Sequence, residues 1–188
     1  MTLYQIITIC FWLVSEVYWG LKSRGNKVTV HQKRSLVRTF VLASVYVAFL
    51  LIYLPYLSFG VLAIRVTPRG DLSGIVGVIL CGAGIAFSIW SRKTLGSNWS
   101  GPVTIKKDHE LIRTGPYKIV RNPIYFGSIV SLTGSAMTTG ELRGIVGILL
   151  VFYTLLKKID EEESLLQKHF DEFFEYSLRV KRLIPFIY

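Results

Sequence analysis

The chain has 188 residues, of which 51% are hydrophobic and 18% are charged, and 22 Lys and Arg against 12 Asp and Glu give a net charge of +10. At roughly 150 residues per domain, this length predicts one domain over residues 1–188. The composition excludes a disordered tail, a collagen and a soluble coiled coil, and a mean hydropathy of +0.45 indicates a surface that largely faces lipid. The basic residues lie in short blocks between apolar runs, which is typical of membrane orientation. We therefore expect membrane lipids as partners and no nucleic acid.

Five apolar runs predict membrane-spanning helices, because a bilayer core of roughly 30 Å takes about 20 apolar residues in a helix. The runs are 3–21, 37–57, 72–90, 124–138 and 142–156. Glycines at positions 74, 77, 82 and 84 of the third run permit close helix packing. The last two runs are short and closely connected, which predicts a tight helical hairpin. The predicted fold class is an all-α polytopic membrane protein with about five spans.

The distribution of Lys and Arg predicts the orientation of these spans. The first and third connections and the tail after the fifth run carry six, seven and six basic residues, whereas the second and fourth connections carry two and one. Basic connections stay on the cytoplasmic side. This predicts an outside N-terminus and a cytoplasmic C-terminus, with the polar stretches 92–123 and 157–188 on one face, where we expect the active site.

Several common enzyme signatures are absent from the sequence. There is no GxGxxG and no GxxxxGK[ST], so neither a Rossmann cofactor loop nor a P-loop is expected. His31, His109 and His169 lie far apart and belong to no HExxH or Cys/His cluster, so we expect no metal site. Cys10 and Cys81 both lie inside apolar runs, where they are interpreted as packing residues.

The polar stretch 92–123 enters the fourth run through Asn122 and Pro123. Asn before Pro is typical of an N-cap with Pro at the first helical position. One interpretation is a capped membrane helix that follows a basic loop. The other is that the helix N-terminus receives an anionic group of a small cofactor.

The segment 157–176 predicts a C-terminal amphipathic helix. Its apolar residues Ile159, Leu166, Phe170 and Phe173 are spaced 7, 4 and 3 apart, on one helix face. Glu162 and Glu163 lie on or beside that face, and ionisable residues at a membrane edge are typically functional. The alternative is a solvated face with i,i+4 pairs such as Lys158 with Glu162.

Two ordered motifs resemble the isoprenylcysteine carboxyl methyltransferase family in its prokaryotic form. The first is His109, Leu111, Ile112, Gly115, Pro116 and Tyr117, then Arg121–Asn122–Pro123–Ile124–Tyr125 and Gly127, against HxLVxxGxY and RHPxYxG. The second is Glu162–Glu163, Leu166, Phe170, Phe173, Tyr176, Val180 and Ile184–Pro185, against EExxL, FG, YxxY and VxxxIP. Together they cover roughly the last half of the chain.

The resemblance implies S-adenosyl-L-methionine as cofactor, at the cytoplasmic membrane edge. The implied cofactor-binding residues are His109, Leu111, Ile112, Gly115, Tyr117, Arg121, Asn122, Pro123, Tyr125, Glu162 and Glu163. The implied catalytic residues are Lys158, which orients the acceptor, and Glu162, which accepts from the cofactor ammonium group. The chain departs from the family at Asn122, which replaces a His, at Asp171, which replaces a Gly, and at Lys158, which replaces the Arg of the eukaryotic enzymes.

The function implied by the resemblance is methyl transfer to a lipophilic acceptor that enters from the bilayer, and carboxyl O-methylation of an isoprenylcysteine-type substrate is the first hypothesis. A carboxylate is already a nucleophile and needs no strong base. The second hypothesis is N-methylation of a phospholipid or other lipid amine, for which Glu163 or Tyr125 would be the base. The third is a non-catalytic membrane protein that binds anionic lipid or a partner.

Overall fold

The computed structural model describes residues 1–23, 29–32, 36–68, 70–99, 104–106 and 110–188. Within these ranges the chain forms six α-helices and one short antiparallel ribbon. The helices are α1 (Leu3–Ser23), α2 (Val37–Tyr53), α3 (Asp71–Leu95), α4 (Pro123–Thr139), α5 (Leu142–His169) and α6 (Glu172–Arg179). The ribbon pairs β1 (Thr29–Gln32) with β2 (Thr104–Lys106). The predicted helical architecture is confirmed, with two short strands added in the polar connections.

All five predicted apolar runs are helical, with shifted ends. α2 ends at Tyr53 rather than at 57, because Pro55 opens a 3₁₀ turn and a residue before proline is disfavoured in helical geometry. In the described part of the chain, the helical segment Asp71–Asn98 is long and apolar enough to cross a membrane, while Val37–Tyr53 is apolar but shorter.

The fifth run and the predicted amphipathic helix are one continuous helix, so the prediction of a separate helix over 157–176 is wrong. α5 runs unbroken to His169. No Gly or Pro lies between 148 and 169 to stop the helix. The backbone is extended at Phe170, and the chain then forms the short helix α6.

α3 and α4 pack backbone against backbone. A Cβ atom at Gly134 would lie 2.4 Å from the Cys81 amide nitrogen and from the Gly77 carbonyl oxygen. A Cβ atom at Gly84 would lie 2.5 Å from the Gly127 carbonyl oxygen. Only glycine permits this approach, and small residues at such positions are typical of helix contacts in membranes. The packing role predicted for the glycines of the third run is confirmed.

A second helix pair, α2 with α5, completes the core. The buried side chains of this core come from α2, α4 and α5: Val41, Ala48, Ile52, Leu132, Ala136, Val151 and Leu155. Polar side chains bridge the helices: Trp12 donates to Ser135 Oγ at 3.0 Å, and the Tyr53 hydroxyl donates to Thr8 Oγ1 at 3.0 Å. Both cysteines are free. Cys81 is buried in the packing between α3 and α4 as predicted, whereas Cys10 is exposed on α1, so the packing role predicted for Cys10 is wrong.

The predicted hairpin of α4 and α5 is confirmed. Gly140, with a left-handed φ of 71°, ends α4, and α5 begins two residues later. The turn therefore sends α5 back along α4, and the start of α4 comes to lie beside the second half of α5.

Candidate functional site

The start of α4 is held by the C-terminal segment of the chain. The amide of Arg121 donates to the Lys181 carbonyl at 2.8 Å, and the amide of Asn122 donates to the Arg182 carbonyl at 3.1 Å. Val120 and Lys181 form an isolated parallel bridge at the same place. Residues from three parts of the chain therefore meet here: the loop before α4, the second half of α5 and the C-terminal segment.

Glu163 is the centre of a buried ion-pair network at this junction. Arg121 donates to both of its carboxylate oxygens, at 3.0 and 2.9 Å, and Asn122 Nδ2 donates at 2.8 Å. The Arg182 guanidinium lies 3.3 Å from Glu163 Oε2 and also pairs with Asp160. The side chains of Arg121 and Glu163 are only 12% and 14% exposed. Glu163 therefore links α5 to the loop before α4 and to the C-terminal segment.

Asn122 occupies the N-cap position of α4, but its side chain caps nothing, so the prediction of an ordinary side-chain N-cap is wrong. Its Nδ2 donates to Glu163 and, at 3.0 Å, to the Arg182 carbonyl. Pro123 takes the first helical position as predicted. These two bonds from Nδ2, one of them to an ionised and therefore stronger acceptor, fix the orientation of the Asn122 side chain, and its oxygen makes no cap to the first turn.

Glu162 forms a second cluster one position earlier on α5. The Tyr125 hydroxyl lies 3.0 and 2.9 Å from the two Glu162 oxygens and donates to the carboxylate. Lys158 Nζ lies 3.9 Å from Glu162 Oε1 and 5.4 Å from the centre of the Tyr125 ring. Burial raises the pKa of Glu162 above its ordinary 4.5, while Lys158 and the Tyr125 hydroxyl act to lower it. The cluster can accept a cationic group at the carboxylate and an anionic group at Lys158.

A narrow cleft of about 60 Å³ opens between these clusters and α6. It is lined by Leu95, Glu110, Leu111, Ile112, Tyr117, Arg121, Asn122, Glu163, Leu166, Phe173 and Tyr176. The Tyr176 hydroxyl donates to the Tyr117 carbonyl at 2.7 Å and fixes α6 over the cleft. Burial raises the pKa of Tyr117 and of Tyr176, so both phenols stay protonated at neutral pH.

The structure brings most of the residues predicted for the site together. Leu111, Ile112, Tyr117, Arg121, Asn122 and Glu163 line the cleft, and Tyr125, Lys158 and Glu162 form the adjoining cluster. Pro123 is buried in the first turn of α4, and Gly115, with φ of 57°, begins a 3₁₀ turn against Thr94. His109 lies outside the described residues.

Five cleft residues were not predicted as site residues: Leu95, Glu110, Leu166, Phe173 and Tyr176. The helical spacing of the C-terminal stretch already placed Leu166 and Phe173 on the apolar face next to Glu163, which was the available signal. Glu110 and Leu95 carry no comparable signal, because only tertiary packing brings them to the cleft.

Comparison with known proteins assigns the family. A family model described as "Phospholipid methyltransferase" matches residues 72–172, which is more than half of the chain. The chain therefore belongs to the phospholipid methyltransferase family, and the resemblance to isoprenylcysteine-type methyltransferases is confirmed at the level of the family.

Three relatives match the chain over part of its length. It is 30% identical over 95 residues to the nickel-cobalt-cadmium resistance protein NccN of Alcaligenes xylosoxydans xylosoxydans, which covers 49% of the chain and 44% of NccN. It is 28% identical over 98 residues to the cobalt-zinc-cadmium resistance protein CzcN of Cupriavidus metallidurans, and the match covers 50% of this chain and 45% of CzcN. It is 28% identical over 98 residues to protein-S-isoprenylcysteine O-methyltransferase B of Arabidopsis thaliana, which covers 50% of each. The chain spans about half the length of the curated relatives it matches.

Proposed function

We propose that this protein is an S-adenosyl-L-methionine-dependent methyltransferase that methylates the carboxylate of an isoprenylcysteine-type lipophilic acceptor. The observation that carries the proposal is the buried cluster of Glu162, Tyr125 and Lys158 beside the cleft. The family and the name of the Arabidopsis relative support a methyltransferase of this kind.

The proposed setting is a membrane crossed by α1 to α4 and by the first half of α5. The N-terminus lies outside and the site faces the cytoplasm. The apolar length of α3 and the many exposed apolar side chains on the helices support this placement. The described parts of the three connections rich in Lys and Arg meet one another or the site: the Lys22 carbonyl accepts from Arg92, β1 pairs with β2, and the C-terminal segment pairs with the loop before α4. Basic connections of this kind are expected on the cytoplasmic side.

The residues present suit the proposed cofactor. The Glu162 carboxylate would hold its ammonium group, and Leu111, Ile112 and Tyr117 would line its nucleoside. When bound, S-adenosyl-L-methionine supplies an electrophilic methyl group. The cleft is narrower than this molecule, so binding would require an outward movement of the wall formed by residues 110–113, which has no regular secondary structure.

Two contacts favour a carboxylate acceptor over an amine. An amine must lose a proton before it attacks, and the candidate bases were Glu163 and Tyr125. Glu163 is engaged by Arg121 and Asn122, and the Tyr125 hydroxyl donates to Glu162. Lys158 repels an ammonium group and attracts a carboxylate. The site would act by holding the carboxylate near the methyl group and excluding water from it.

Glu162→Gln is expected to weaken S-adenosyl-L-methionine binding by about 10- to 100-fold. A hydrogen bond to a charged group contributes roughly 1.5–3 kcal/mol, and the amide removes the charge while it keeps the shape. Isothermal calorimetry on the detergent-purified protein measures this. Tyr117→Ala should also weaken binding, whereas Glu175→Gln, on the exposed side of α6, should leave it unchanged.

The pH dependence provides the control for the role of Glu162. The carboxylate binds and the neutral acid does not, so wild-type affinity is constant above the pKa of Glu162 and falls as the pH drops through it. Burial raises this pKa, so the fall begins above pH 4.5. Glu162→Gln should show no such fall. Wild-type protein that is folded but binds no cofactor at millimolar concentration would contradict the proposal.

Lys158→Met is expected to lower kcat/KM for a prenylcysteine carboxylate by about tenfold or more, because the acceptor loses a charge-assisted hydrogen bond. The effect should lie mainly in KM, and Lys158→Arg should retain activity. Methyl transfer to N-acetyl-farnesylcysteine in micelles measures this. Equal activity of wild type and Lys158→Met toward an amine lipid, with none toward the prenylcysteine, would favour the second hypothesis.

A further inference from the structure

A second and larger cavity lies on the other side of the C-terminal end of α3. It has a volume of about 410 Å³ and is lined by Tyr18, Leu21, Lys22, Arg92, Lys93, Gly96 and Ser97. This volume is within the roughly 300–1,000 Å³ of small-molecule sites. None of the described candidate catalytic or cofactor residues lines it; Leu95 lines the cleft and the next residue, Gly96, lines this cavity.

The cavity is basic. Among the described residues, its lining contains Lys22, Lys93 and Arg92 and no carboxylate. Neither lysine forms an ion pair with a described residue of the chain. Three cations around one concave surface favour an anion, and the Ser97 hydroxyl adds a hydrogen-bond donor.

Arg92 makes the base of the cavity rigid. It is 4% exposed, and its guanidinium donates to the Lys22 carbonyl at 3.0 Å and to the Gly96 carbonyl. Its Cζ lies 4.7 Å from the centre of the Trp99 ring and 5.9 Å from that of Trp19. Arg92 therefore joins the ends of α1 and α3 and neutralises the partial negative charge of their last carbonyls.

An apolar stripe on α1 leads to this cavity. Leu13, Val14, Val17 and Leu21 are 60–66% exposed and lie on one helix face. Leu21 is both the end of the stripe and part of the cavity lining. Tyr18 and Trp19 lie at the same level, and such aromatic residues are typical of the boundary between hydrocarbon and headgroups.

We propose that this cavity binds the phosphate of an anionic phospholipid headgroup, with the acyl chains of that lipid along the stripe of α1. The proposal rests on the membrane placement in the proposed function, but it involves neither the methyl donor nor the acceptor. The shared chemistry is a phosphate oxyanion held by Lys22 and Lys93, with the buried positive charge of Arg92 beneath it. The apolar stripe selects a lipid over free phosphate as its source.

The test is lipid binding by native mass spectrometry on the full chain in detergent, without cofactor. Phosphatidylglycerol should bind and phosphatidylcholine should bind much more weakly. Lys22→Gln with Lys93→Gln should weaken phosphatidylglycerol binding about thirtyfold, since each basic side chain near an anionic headgroup contributes roughly a fivefold change. The control is Lys168→Gln with Lys181→Gln, which removes the same charge from exposed positions and should change binding less than about twofold.

A second variant leaves the lysines in place. Ser97→Asp puts a carboxylate into the cavity and should weaken phosphatidylglycerol binding about tenfold or more. Equal weakening by the two lysine pairs, or equal binding of phosphatidylcholine, would overturn the proposal. Displacement of the lipid by millimolar inorganic phosphate would assign the cavity to soluble phosphate and overturn the lipid assignment. Because binding is measured without cofactor, these outcomes are independent of whether methyl transfer is found.

Discussion

Gly134→Val is expected to destabilise the folded protein by more than about 3 kcal/mol. The first added carbon would lie 2.4 Å from backbone atoms of Gly77 and Cys81, and backbone cannot move aside as the end of a flexible side chain can. Overpacking a core costs typically 1–3 kcal/mol, and here two whole helices must separate. Thermal unfolding in detergent, followed by size-exclusion chromatography, measures the loss of folded protein.

Gly20→Val is the matched control for this substitution. Gly20 also lies within a helix, but a Cβ atom there would lie more than 4 Å from every described residue outside its own helix turn. The same side chain should therefore leave the melting temperature within a few degrees of wild type. If Gly134→Val had the melting temperature of the wild type and Gly20→Val had a lower one, the close packing of α3 on α4 would be contradicted.

Glu163→Ala is expected to cost about 3–5 kcal/mol of stability. Removing one partner of a buried ion pair leaves the other charge without compensation, and Arg121 is only 12% exposed. Arg121 keeps its hydrogen bonds to the Ser177 and Val180 carbonyls, which favours the lower end of this range. Chemical unfolding in detergent measures the loss, which should be accompanied by protease sensitivity of the C-terminal segment.

Two further variants distinguish the stability effect of the buried ion pair from that of a charge on the surface. Glu175→Ala breaks an exposed pair with Arg179 and should cost less than about 1 kcal/mol. Arg121→Met with Glu163→Leu replaces both charges and should recover much of the stability lost in Glu163→Ala. A double variant as unstable as Glu163→Ala would show that hydrogen bonds to the backbone, rather than an uncompensated charge, dominate at this junction.

Sequence reasoning predicted the helices better than their ends. Hydrophobic runs and glycines identified all five apolar helices and the tight packing of α3, because these depend on local periodicity. The unbroken α5 was missed because a change from apolar to charged residues after Leu156 was interpreted as an element boundary. A helix ends only where its backbone is stopped, and nothing stops it before Phe170.

At the candidate site, sequence reasoning selected the residues but not their separate contacts. Glu162 and Glu163 were both placed beside one apolar face, and the resemblance gave the cofactor ammonium group to Glu162 alone. The structure gives Glu162 to Tyr125 and Lys158, and Glu163 to Arg121 and Asn122. The i,i+4 pair of Lys158 with Glu162 was named from local spacing. The contacts of Tyr125, Arg121 and Asn122 join residues about 40 apart in sequence, which no local pattern encodes.

In the membrane placement proposed above, the continuous α5 would couple the position of the site to the thickness of the bilayer. With a rise of 1.5 Å per residue, Glu162 lies about 30 Å along the axis from Leu142, which equals the hydrocarbon thickness of a typical membrane. In that placement, the length of the unbroken helix would fix the distance between the turn at Gly140 and the Glu162 cluster. In thinner or thicker bilayers the carboxylate would be displaced from the boundary where an acceptor presents its polar end. Membrane thickness would thus set how efficiently a lipophilic acceptor of given chain length meets the methyl donor.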